Sequence, residues 1–105
     1  MTADYEVLWP LGRKSGLPPG DLAPRPAELT GRRVAFVWDH VFKGDLMFAR
    51  FELAASERFA GVSYVAHPEF GNIHGTTFEE HDAVEKLPER LRAHEIDAAV
   101  VGVGA

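Results

Sequence analysis

The chain has 105 residues, 46% hydrophobic and 26% charged, the composition of one soluble globular domain. Sixteen acidic against eleven basic side chains leave a formal charge of −5, which argues against nonspecific nucleic-acid binding. The absence of cysteine removes disulfides, zinc fingers and a thiol nucleophile of the chain's own, and no apolar run approaches the ~20 residues of a membrane span.

The opening Met1-Thr2-Ala3-Asp4-Tyr5-Glu6 lacks the basic-then-apolar layout of a secretory signal, so a cytoplasmic chain is expected. Residues 1–31 hold five of the seven prolines (Pro10, Pro18, Pro19, Pro24 and Pro26). Proline fixes φ and donates no hydrogen bond, so this stretch is neither a helix nor a central strand. Its apolar side chains, among them Val7, Leu8, Trp9, Leu11, Leu17, Leu22 and Leu29, predict an extended arm packed on a neighbouring surface of its own domain or of another subunit. A floppy leader is the competing reading.

Residues 32–105 read as a βαβαβ unit. Val34-Ala35-Phe36-Val37-Trp38 is a continuous apolar run, as expected of a strand covered on both faces. A polar loop over 39–44 follows, with Asp45 as N-cap of a helix over 46–59 that carries Phe48, Phe51 and Phe59 inward and ends at Gly61. Val62 to Ala66 forms a second strand, and residues 67–75 a loop. Thr77 with Glu80 fits a capping box, and Pro88 predicts a break near Leu87 with a second helical piece over 88–94. The final strand-like run is Ile96 to Ala105.

Strands alternating with helices imply an α/β fold with parallel pairing in the order 2-1-3 and helices on opposite faces. Three such strands make half of a doubly wound, Rossmann-like sheet, with a compact three-stranded domain as the alternative. No helix follows the last apolar strand, so this reading expects another polypeptide to supply the remaining strands.

Ligands of open α/β sheets sit beyond the carboxyl ends of the strands, and three groups of residues fall there. Asp39, His40 and Lys43 follow the first strand, where an imidazole with an adjacent carboxylate can shuttle protons near neutral pH. The competing reading is an ordinary polar loop with Asp39 capping backbone amides. His67, Glu69 and His74 follow the second strand and could contact substrate or do acid–base work. They could also ligate iron or zinc, although their spacing is not diagnostic. An irregular loop shaped by Pro68 and Gly71 is the plainer account. Gly102 and Gly104 end the third strand, where exposed amides could hold an anion, but the third glycine of a dinucleotide fingerprint is missing. Arg13 and Lys14 in the arm could reach an anionic substrate, whereas Arg32 and Arg33 simply precede a strand. His81 and His94 read as solvated helix positions.

Four short segments resemble the UGSC-motif proteins, named for a selenocysteine-or-cysteine-Gly-Ser-Cys sequence. They are Pro10-Leu11-Gly12-Arg13, Leu22-Ala23-Pro24-Arg25, Leu29-Thr30-Gly31 and Val101-Gly102-Val103-Gly104. In that family the redox motif comes directly after the glycine-rich strand end, so the resemblance implies the N-terminal half of such a protein. It further implies a partner α/β chain bearing the thiol or selenol, a small-molecule substrate, and redox or thiol-addition chemistry. The bulky Val41-Phe42 after His40 departs from the family pattern. Three functions stay open: a subunit of a heteromeric enzyme with Asp39, His40 and His74 as catalytic candidates, a noncatalytic stabilising or regulatory half-domain, or a free-standing small-molecule-binding domain. The residues identify no cofactor.

Overall fold

A computed structural model describes residues 4, 6, 20–75 and 77–104. It contains β1 (Arg33–Trp38), α1 (Gly44–Arg58), β2 (Ser63–Val65), a turn of 3-10 helix (His67–Glu69), α2 (Phe78–Ala93) and β3 (Ala98–Gly102). The strands form one parallel sheet in the order β2-β1-β3, as the alternation of elements predicts. The fold is therefore α/β. No helix among the described residues is long and apolar enough to cross a membrane.

β1 is central, and its apolar run is explained by cover on both faces: Val34, Ala35, Phe36 and Val37 are all at most 3% exposed. Side chains alternate along a strand, so the run serves two layers. Phe36 stacks on Phe48 of α1 at 4.8 Å, meets Phe51 edge-on at 5.9 Å and stacks on Tyr64 of β2 at 5.6 Å. Ala35 and Val37 face the other way, into a cluster with Val65 and Phe70 that Leu87 and Leu91 of α2 cover. The two helices thus lie on opposite faces. Neither fully covers β3. Val101 pairs with Val37 in register yet remains 64% exposed.

The helix boundaries depart from the sequence-based expectation. α1 begins at Gly44, with Lys43 as N-cap, and Asp45 instead occupies the first turn, where the helix dipole favours a carboxylate. Gly61, expected to end the helix, does follow it with φ +71°, a conformation other residues resist. Thr77 caps α2 by position only: no side-chain bond forms, and the Glu80 carboxylate turns toward His81 at 3.6 Å. Pro88 lies inside an unbroken α2. Its ring deprives the Val84 carbonyl of a donor, but Val84 is 47% exposed and water can serve that oxygen. Leu87 and Leu91, on either side of the proline, hold both halves of the helix on the core.

Arg33 anchors the amino end of β1. Its N–H donates to Asp97 Oδ2, its carbonyl accepts from the Asp97 N–H, and its guanidinium donates to the His94 carbonyl, each at 2.9 Å. Only the root of the arm is described in detail. Leu29 lines a shallow depression with Phe51, Ala54, Ala55, Arg58 and Phe59 of α1 and its end, and Gly31 donates to the Ala60 carbonyl at 2.9 Å. Leu22 is 86% exposed, so it does not pack on the chain's own domain. Val7, Leu8, Trp9, Leu11, Arg13, Lys14 and Leu17 lie outside the described residues.

Candidate functional site

The carboxyl ends of all three strands converge on one region. Trp38 closes β1, and its indole N–H donates to the Val41 carbonyl at 3.2 Å, folding residues 39–43 over the strand end. Gly44 lets the indole lie there, because a Cβ on residue 44 would fall 2.6 Å from Trp38 Cδ1. The loop is strained. His40 and Phe42 both adopt left-handed φ values, 62° and 56°, each costing on the order of 1–3 kcal/mol for a non-glycine residue.

That backbone places the His40 ring on the face of Trp38, with centroids 4.6 Å apart and planes 24° from parallel. His67, at the start of the 3-10 turn after β2, meets Trp38 edge-on at 4.8 Å and His40 edge-on at 5.6 Å. Two imidazoles and one indole therefore form a box. His67 Nδ1 is buried without a hydrogen-bond partner among the described residues. Its pKa lies below the ordinary 6.5, first because burial penalises the cation, then because His40 repels it, while Asp45 partly offsets both. His67 is thus a neutral imidazole at pH 7, chemically an acceptor and mild base.

The shift has a sign that can be tested. The folded chain resists protonation at His67, so the unfolded chain binds more protons once pH drops below about 6.5, and stability falls as pH falls through that window. We expect His67→Gln to flatten the pH dependence of the melting temperature as pH falls below about 6.5. Parallel pH profiles for the variant and the parent would refute this.

Beside the box lies an apolar cleft of ≈ 260 Å³ between α1 and β3, lined by Met47, Phe48, Phe51 and residues 100–104. Phe48 belongs to the cleft wall and stands 6.5 Å from the His67 ring, linking the two features. Gly104 lies at the cleft mouth with open space around it, whereas Gly102 packs near Phe48 with ordinary room for a methyl group. Close backbone approach therefore explains neither glycine.

Of the residues selected from sequence, the structure brings Asp39, His40, His67 and Gly102 together. Asp39 is not a free catalytic carboxylate. Its Oδ1 accepts the N–H groups of Val41 at 3.2 Å and Val103 at 3.0 Å, the amide-capping alternative to its reading as a proton-shuttle partner. Glu69 turns to His94, with 3.7 Å between Oε2 and Nε2, rather than joining His67. His74 is exposed on the loop before α2, where its N–H donates to Asn72 Oδ1. No group of three His, Asp or Glu side chains able to hold a metal occurs among the described residues, so the set His67, Glu69 and His74 does not assemble there. Lys43 is exposed at the start of α1, and Arg13 lies outside the described residues.

Sequence reasoning missed Trp38, which it assigned only to a strand, and the cleft role of Met47, Phe48, Val100 and Val103. A tryptophan on the last residue of a strand that ends at the ligand edge was the available signal for Trp38. The phenylalanines of α1 gave no such signal, because core and cleft walls have the same spacing.

No family model, curated protein or solved structure matches the chain.

Proposed function

We propose that this chain is one part of a small-molecule enzyme, providing the proton-handling imidazoles of His40 and His67 and an apolar wall for the substrate. The observation that carries this reading is the half-buried imidazole of His67, with a shielded Nδ1 and a lowered pKa, at the carboxyl edge of a parallel sheet next to an apolar cleft. A neutral imidazole base, a hydrophobic surface and an aromatic plate are what a small organic substrate needs for orientation and proton transfer. The cleft, at ≈ 260 Å³, lies near the lower end of the roughly 300–1,000 Å³ range of ligand pockets, a size that suits a small organic molecule. In this reading a complementary α/β chain supplies the thiol or selenol that the UGSC resemblance implies, and the chemistry is redox or thiol addition.

A second reading, a noncatalytic binding domain, draws on the commitment of Asp39 to backbone amides, which leaves neither imidazole with a carboxylate to orient it. A fragment screen read by NMR discriminates between the two. Under the enzyme reading, ligands shift the His67, Phe48 and Gly102 signals together, and His67→Ala weakens them at least tenfold. Under the binding-domain reading, ligands occupy the cleft with affinity indifferent to His67. Ligands that map elsewhere would overturn both. Light scattering tests the partner: a well-behaved monomer with a cooperative melt, unchanged by a co-expressed thiol-bearing α/β chain, would refute the heteromer.

A further inference from the structure

Asp39 makes three hydrogen bonds, one through its backbone and two through its carboxylate. Its N–H donates to the Gly102 carbonyl at 3.0 Å, and its Oδ1 accepts from Val103 on one side and Val41 on the other. Val103 is a wall of the apolar cleft, and Val41 is the residue after His40. One carboxylate oxygen therefore spans the cleft and the imidazole box, joining positions 64 residues apart in sequence. The same short loop is held from its other side by the Trp38 indole on the Val41 carbonyl, so the left-handed backbone of His40 is fixed at both flanks.

We propose that Asp39 is a positioning residue that couples occupancy of the cleft to the placement of His40. A ligand that displaces Val103 pulls on Oδ1, Oδ1 pulls on the Val41 amide, and the His40 ring slides on Trp38 relative to His67. A carboxylate oxygen has lone pairs enough to accept both amides at once, which suits it to this transmission. The inference rests on the reading of His40 and His67 as the working groups of the site. Its test uses no turnover, so failure of one does not imply failure of the other.

The experiment is an acid titration of the uniformly ¹⁵N-labelled chain. Protonating Asp39 should shift the Val41 and Val103 amide signals with one shared midpoint, because both donate to Oδ1, while the His40 ring keeps its place on Trp38 because the neutral carboxyl still offers an acceptor oxygen. Asp39→Asn keeps an acceptor oxygen, so at neutral pH it should leave the His40 ring signals as in the parent while abolishing the shared titration. Asp39→Ala should move both amides upfield and release the His40 ring from the shielding of Trp38. Separate midpoints at Val41 and Val103 would overturn the proposal. So would an Asp39→Asn variant that perturbs His40 as strongly as alanine does, since charge rather than position would then be acting. If Asp39→Ala does not fold, the parent titration and the asparagine variant decide.

Discussion

Replacing Phe36 with alanine is expected to lower stability by about 3–5 kcal/mol, the usual range for truncating a buried phenylalanine. The ring is 3% exposed and contacts Phe48, Phe51 and Tyr64, so its loss opens a void between the sheet and α1 that three aromatic partners line. Each aromatic pair adds about 0.5–1.5 kcal/mol beyond the area it buries. A domain of this size has a total stability on the order of 5–15 kcal/mol, so the variant should be close to unfolding at 37 °C. Urea denaturation checks this. A change below about 1 kcal/mol would mean that α1 does not depend on this stack.

Gly44→Ala should damage the site and the fold together. The added methyl would collide with Trp38 Nε1 and lie 2.6 Å from Cδ1, so the indole has to leave its place over the loop. That motion breaks the bond to the Val41 carbonyl and unstacks His40. Overpacking of this kind costs about 1–3 kcal/mol. Alanine's helical advantage over glycine, at most about 1 kcal/mol in a helix interior, is smaller still at the first residue of α1. A double-mutant cycle isolates the cause. Trp38→Ala removes the colliding atoms, so in that background Gly44→Ala should lose most of its effect, a coupling of about 1 kcal/mol or more. Strict additivity would show that the glycine serves only the helix start.

The two variants probe different kinds of information in the chain. The Phe36 stack was foreseeable from local pattern: a continuous apolar run for β1 and phenylalanines at helical spacing in α1 point at each other in any βαβ unit. The Gly44–Trp38 contact was not. It depends on how five loop residues turn back over a strand end, and left-handed backbone at His40 and Phe42 is not announced by their residue types.

Element type, parallel pairing and the order β2-β1-β3 were legible from hydrophobic runs and the alternation of strands with helices, because burial on one face or two imprints a period on the sequence itself. The break expected near Leu87 does not occur, and α2 runs unbroken through Pro88. A proline rule is local, and here Leu87 and Leu91 packing on the core outweighs one missing hydrogen bond. The site followed the same division. Topology by itself put Asp39, His40, His67 and Gly102 at one sheet edge, since every carboxyl end of a parallel sheet points the same way. Only the tertiary structure decided that Asp39 spends its carboxylate on Val41 and Val103, that Glu69 turns to His94, and that Trp38 carries both imidazoles. Those choices are made by contacts between segments distant in sequence, and no local pattern encodes which of several polar partners a side chain will meet when the chain closes.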